Sequence, residues 1–213
     1  MSMNIIIGIV AREEEFDNIN FRIIAKNNMK YLYGKCSYIG IINYDGEVDY
    51  NVLNLCDGII IPGGNKIYPY HFKILEYAIK NNIPVLGICM GNQVIGLYSV
   101  DSRDEDDLVR IDNHFGSTIR HSITTEKNSF LYKLFGDELE VNSRHNYMLE
   151  EVNYPFVVSA YSDDGVIEGI EYIDDEHFII GVQFHPEDLD NTECLYNYFL
   201  KEILKRKNKL STD

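Results

Sequence analysis

The stretch Pro84-Val85-Leu86-Gly87-Ile88-Cys89-Met90-Gly91-Asn92-Gln93 decides the fold. It starts as a short apolar run of the kind that forms a strand buried on both faces. It ends at Gly87-x-Cys89-x-Gly91, and a helical pattern over residues 90–98 follows. Glycines two before and two after a cysteine let the backbone turn sharply from strand to helix without Cβ clashes. Such a turn lifts the cysteine side chain above the sheet edge and sets its sulfur at a helix N-terminus. The dipole there favours thiolate over thiol, and the free N–H groups can hold an oxyanion.

Outward from this turn, the first half of the chain alternates in type. Apolar runs at 4–10, 38–42, 58–61 and 84–88 predict strands. Residues 16–33, 70–81 and 90–98 predict helices, the first from Phe16, Ile19, Ile23 and Ile24, the second from Phe72, Leu75 and Ile79. Strand and helix in alternation imply crossovers and a parallel sheet. The second half reads as short strands at 117–124, 138–141, 155–161, 166–172 and 178–183, with a hairpin turn at Asp163-Asp164-Gly165. A closing helix spans 192–207, with Leu195, Phe199 and Ile203 on one face. The expected architecture is α/β: a mostly parallel central sheet with an antiparallel extension. No linker or repeat divides the 213 residues, so a single domain over 1–213 is expected.

Composition narrows the partners. Nineteen basic against 34 acidic residues give a net charge of −15, which disfavours nucleic acid and anionic membranes. No apolar run approaches the length of a membrane span. Met1-Ser2-Met3-Asn4 lacks a basic leader region, and four dispersed cysteines suit reduced thiols, so a cytoplasmic protein is expected. Cys36, Cys56 and Cys194 read as small apolar residues. The acidic stretch 101–107 reads as a solvated loop.

A cysteine nucleophile needs a base and a group that orients the base. Among six histidines, only His185 follows a predicted buried strand, where parallel sheets bind ligands. If His185-Pro186-Glu187 stays extended, His185 and Glu187 point to one side, and the carboxylate fixes the imidazole.

Three motifs now stand in order: Pro62-Gly63-Gly64, Gly87-Ile88-Cys89-Met90-Gly91-Asn92-Gln93 and Gly181-Val182-Gln183-Phe184-His185-Pro186-Glu187. Together they resemble the class I glutamine amidotransferases. The resemblance implies a flavodoxin-like three-layer sandwich, a triad of Cys89, His185 and Glu187, and an oxyanion hole from the N–H groups of Gly64 and Met90. It carries over Gln93 as a glutamyl contact. Val141-Asn142-Ser143-Arg144-His145 and Asp164-Gly165-Val166-Ile167-Glu168-Gly169-Ile170 look like the gamma-glutamyl hydrolase branch. Asn65 and Tyr147 depart from that branch's pattern, in which Asp and Gln are frequent.

The implied function is a cysteine-dependent hydrolase that cleaves the gamma-glutamyl amide of glutamine or of a gamma-glutamyl amine through a thioester. The alternative is a glutaminase subunit that supplies ammonia to a separate synthase chain. A remoter one is a redox-sensing relative without enzymatic activity. The implied chemistry needs neither metal nor organic cofactor, and no metal-ligand spacing is present. The substrate's alpha-carboxylate needs a cation, for which Arg12 and Arg144 are candidates. Its alpha-ammonium needs an anion, for which Glu13, Glu14 or Glu15 is expected. Ser143 and His145 are further candidate contacts, with a structural role for His145 equally open.

Overall fold

The apolar runs of the sequence become the strands of one large sheet in a computed structural model, which describes residues 4–174 and 176–210. Met1-Ser2-Met3, expected to carry no leader, lie outside the described residues. The sheet strands are β1 (Ile6–Val10), β2 (Ser37–Ile41), β3 (Gly58–Ile61), β4 (Val85–Ile88), β5 (Phe115–Thr125), β6 (Glu138–Arg144), β7 (Phe156–Ser162), β8 (Ile167–Tyr172) and β9 (Ile179–Val182). Their order across the nine-stranded sheet is β6-β5-β7-β8-β9-β4-β3-β1-β2. Neighbours from β9 through β2 pair in parallel. Those from β9 outward to β6 pair antiparallel. The flavodoxin-like arrangement is thus a parallel half that carries an antiparallel extension.

Alternation within the buried strands builds two cores. Ile59, Ile61, Val85 and Ile179 face helices α1 (Pro69–Lys80) and α2 (Met90–Ser99). Ile7, Ile9, Ile60, Leu86 and Val182 face helix α3 (Glu193–Leu210), which contributes Leu195, Tyr196, Phe199 and Ile203. Helices on both faces satisfy a sheet whose strands are apolar on both sides.

The expected helix over 16–33 does not form. Arg12–Phe16 and Ile19–Ile23 make a β-hairpin through Asp17 and Asn18, whose φ values are 51° and 60°. Asp and Asn tolerate that left-handed pair, the geometry of a two-residue hairpin turn. A 3₁₀ turn, Lys26–Met29, follows. Apolar residues at 16, 19, 23 and 24 imitate helical spacing, but turn chemistry prevails. The structure also adds short helices at Tyr50–Asn54 and Phe130–Phe135, capped by the side chains of Asp49 and Ser129.

The loops after β1, β3, β4 and β9 all leave from the carboxyl edge of the parallel half. These strands are neighbours in the order β9-β4-β3-β1, so the three sequence motifs and Arg12 converge there. The glycines make the convergence possible. A Cβ on Gly91 would lie 2.0 Å from the backbone oxygen of Ile61, and one on Gly87 would lie 2.6 Å from that of Gly91. Neither neighbour is the movable end of a side chain. Gly91→Ala is therefore expected to cost about 3 kcal/mol, toward the upper end for overpacking. A lowered urea midpoint at unchanged slope would show it.

Candidate active site

Cys89 caps the N-terminus of α2 at φ 52° and ψ −100°, a conformation that L-residues rarely adopt. Its N–H donates to the Val182 carbonyl at 2.8 Å, so the turn is tied to β9. The side chain is buried among β3, β4 and β9 yet reaches two adjoining cavities.

His185 is placed by both neighbours. Nδ1 lies 2.8 Å from Glu187 Oε1, and the ring interacts electrostatically with Cys89. The Glu187 carboxylate is buried. The expected contact is present, but the expected extended backbone is not. Pro186–Asp188 forms a 3₁₀ turn, which curls the carboxylate back under the ring. Burial alone would lower the imidazole pKa. Hydrogen bonds and charge from Cys89 and Glu187 outweigh it and raise His185 to about 10. The ring is therefore stabilised as imidazolium.

Two supporting residues carry no role in the sequence reading. Asn142 donates to the His185 carbonyl and accepts from the His185 N–H, each at 2.8 Å, and so fixes that loop. Gln183 is fully buried, and its amide reaches the Cys89 sulfur at 3.6 Å. Both stand inside the quoted motifs, which is the signal that was available.

The first cavity, about 300 Å³, is lined by Gly64, Met90 and Gln93, and beyond them by Glu105, Asp106 and Tyr147. Gln93 donates to the Tyr147 carbonyl at 3.0 Å. The second, about 320 Å³, is lined by Arg12, Asn27, Asn28 and His185. Arg144 borders both and is paired with Asp188. Arg12 pairs with Glu14 at 3.0 Å. A Cβ on Gly63 would meet His185 Cε1 at 2.6 Å, so a glycine there lets this loop lie against the ring, whereas a Cβ on Gly64 would meet the more adaptable Met90 sulfur at 2.9 Å.

Glu13, Glu14 and Glu15, the expected partners of a substrate ammonium, are engaged or placed elsewhere. Glu13 pairs with Arg22 and Glu14 with Arg12, and Glu15 is exposed on the hairpin. None of them lines either cavity. The acidic stretch, expected to be a solvated loop, folds partly into a 3₁₀ turn, Glu105–Asp107. Glu105 accepts from the Ile67 N–H at 2.7 Å and faces the first cavity. Ser143 is fully buried, bonded to His114, and lines neither cavity. His145 borders the first cavity but is itself buried. Burial pushes the Cys36 and Cys56 thiols up to about 11. No helix among the described residues is long and apolar enough to cross a membrane.

The fold is that of the class I glutamine amidotransferases. A structure from Thermoplasma acidophilum, provisionally described as part of a GMP synthase, superimposes with TM-score 0.72 over all of both chains at 16% identity. The glutaminase domain of Trypanosoma brucei CTP synthase does so with TM-score 0.68, at 18% identity and 95% of each chain. The chain belongs to the Peptidase C26 family, whose model matches residues 70–187. The provisionally named glutamine amidotransferase PB2B2.05 of Schizosaccharomyces pombe is 29% identical over 80% of each chain. The CTP synthase of Thermotoga maritima is 33% identical over 67% of this chain. This chain covers 34% of that synthase's length.

Proposed function

We propose that the protein hydrolyses the side-chain amide of gamma-glutamyl compounds through a thioester on Cys89. The observation that carries this reading is that Cys89 borders two cavities of different character. The first offers carboxylates from Glu105 and Asp106, the Arg144 guanidinium and the Gln93 amide. That set complements the alpha-ammonium and alpha-carboxylate of a glutamyl group. The second, beside His185, leaves room for an amine larger than ammonia.

The chemistry follows from this placement. The Cys89 sulfur attacks the amide carbonyl, and the resulting oxyanion is received by the Gly64 and Met90 N–H groups. Each such donor typically contributes about 3–4 kcal/mol. His185, as imidazolium, protonates the departing nitrogen as the C–N bond breaks. The neutral ring then takes a proton from water, whose oxygen attacks the thioester. Collapse releases glutamate and returns sulfur and ring to their starting state. Glu187 orients the ring throughout.

A screen of kcat/KM over glutamine, gamma-glutamyl amino acids and gamma-glutamyl amines tests the reading. Substituted amides are expected to exceed glutamine, and inactivity on every member would defeat it. Similarity to the CTP synthase of Thermotoga maritima favours a second reading, glutamine hydrolysis for a separate synthase. It predicts a low basal rate on glutamine alone, raised by the partner. Under either reading Glu105→Gln keeps the bond from Ile67 and loses the charge. It should raise KM about 10–100-fold with little change in kcat.

A further inference from the structure

Three histidines with no part in this reaction gather around one carboxylate, Glu168, which is 0% exposed. His114 Nδ1, His145 Nε2 and Glu168 Oε1 form a triangle with edges of 3.3, 3.5 and 3.8 Å. Around a tetrahedral zinc ion with bonds near 2.0–2.1 Å, neighbouring ligand atoms stand roughly 3.4 Å apart.

The outer hydrogen bonds decide what the triangle holds. His114 Nε2 lies 3.0 Å from Asp164 Oδ2, an acceptor, so Nε2 carries the proton and Nδ1 a lone pair. His145 Nδ1 lies 3.1 Å from the Tyr147 carbonyl, so its Nε2 likewise presents a lone pair. Ser143 gives its hydroxyl proton to the His114 carbonyl at 2.7 Å and leaves oxygen lone pairs 3.2 Å from His114 Nδ1. Glu168 Oε1 takes the His121 Nε2–H at 3.1 Å on one lone pair and keeps the other, and its buried Oε2 has no hydrogen-bond partner. In those tautomers, lone pairs on two imidazoles and a carboxylate face one another across the triangle. A single added proton would bridge one edge of the triangle. A divalent cation satisfies all three.

We propose that His114, His145 and Glu168 form a site for one divalent transition-metal ion of the zinc class. Asp164 and the Tyr147 carbonyl set the tautomers, as the outer partners of metal-bound histidines do. Entry is through the first cavity, which His145 borders. The ion would tie the loops at 114 and 145 to β8 and brace the cavity wall at Tyr147. The sequence gives no spacing signal because the three ligands come from distant segments of the chain.

The test uses the full chain in a Cys89→Ala background, so that the nucleophile's sulfur cannot capture metal. After treatment with a chelator, calorimetric titration with zinc should show one equivalent bound. Cobalt(II) should give the visible absorption of a low-coordinate N/O site. Glu168→Gln and His114→Asn should each weaken zinc binding at least about 100-fold, and Asp164→Asn about 10-fold. Absence of stoichiometric zinc binding by the background protein would overturn the proposal, whether or not the variants fold. So would binding that Glu168→Gln and His114→Asn leave intact, or nitrogen NMR that shows a protonated ring at His114 or His145 after zinc addition.

Discussion

Cys89→Ala is expected to lower kcat/KM for gamma-glutamyl amides by more than about 10⁴-fold, as loss of a nucleophile does when the rest of the site acts only with it. No other cysteine can replace it. Burial holds the Cys36 and Cys56 thiols near 11, and none of the three lines a cavity beside His185. The variant should remain folded. Residue 89 must adopt φ 52° whichever side chain it carries, so the backbone strain is nearly unchanged. Circular dichroism and a denaturation midpoint close to that of the parent would confirm that only the sulfur was lost. Retention of a tenth of the parental activity in a folded Cys89→Ala protein would remove Cys89 from the mechanism.

Glu187→Gln is expected to lower kcat by about 10³–10⁴-fold, the scale seen when a triad carboxylate becomes an amide. The amide has nearly the same shape, so packing is kept. It lacks the charge that stabilises imidazolium and can present N–H toward Nδ1, which selects the wrong tautomer. The pH profile separates this role from a structural one. In the parent, hydrogen bonds and charge from Cys89 and Glu187 raise His185 to about 10, so the protonated ring persists through neutral pH and is lost as pH rises through that value. Without the carboxylate, one of the two raising causes is gone, and the basic limb of the kcat profile must move to lower pH. A uniform loss with an unmoved basic limb would mean that Glu187 only supports the loop.

Much of the parallel half was legible residue by residue. β3, β4 and the helices after them announce themselves through apolar runs that end at glycines. Gly87 and Gly91 were readable as a sharp turn because no other residue fits there, and the contacts with Ile61 and with each other bear that reading out. The hairpin at 12–23 is hidden from apolar spacing because Phe16, Ile19, Ile23 and Ile24 satisfy a helical period as well as a strand's partial alternation. Asp17 and Asn18 settled it through a backbone geometry that apolar spacing does not report. Likewise, His185-x-Glu187 was readable as a pair, whereas the 3₁₀ turn that joins the two was not.

The site divides in the same way. By itself, the sequence determined the turn that presents Cys89 to the cavities, the histidine–carboxylate pair and the glycine loop, because each is a local motif with backbone demands written in adjacent residues. Only the tertiary structure decided which charges face the cavity. It turned Glu13 and Glu14 toward arginines, brought Glu105 and Asp106 beside Gln93, and buried Ser143. It also drew His114, His145 and Glu168 together from segments far apart in the chain. Those outcomes depend on strand order and on long-range packing, and a carboxylate in a loop carries no local signal of where the sheet will place it.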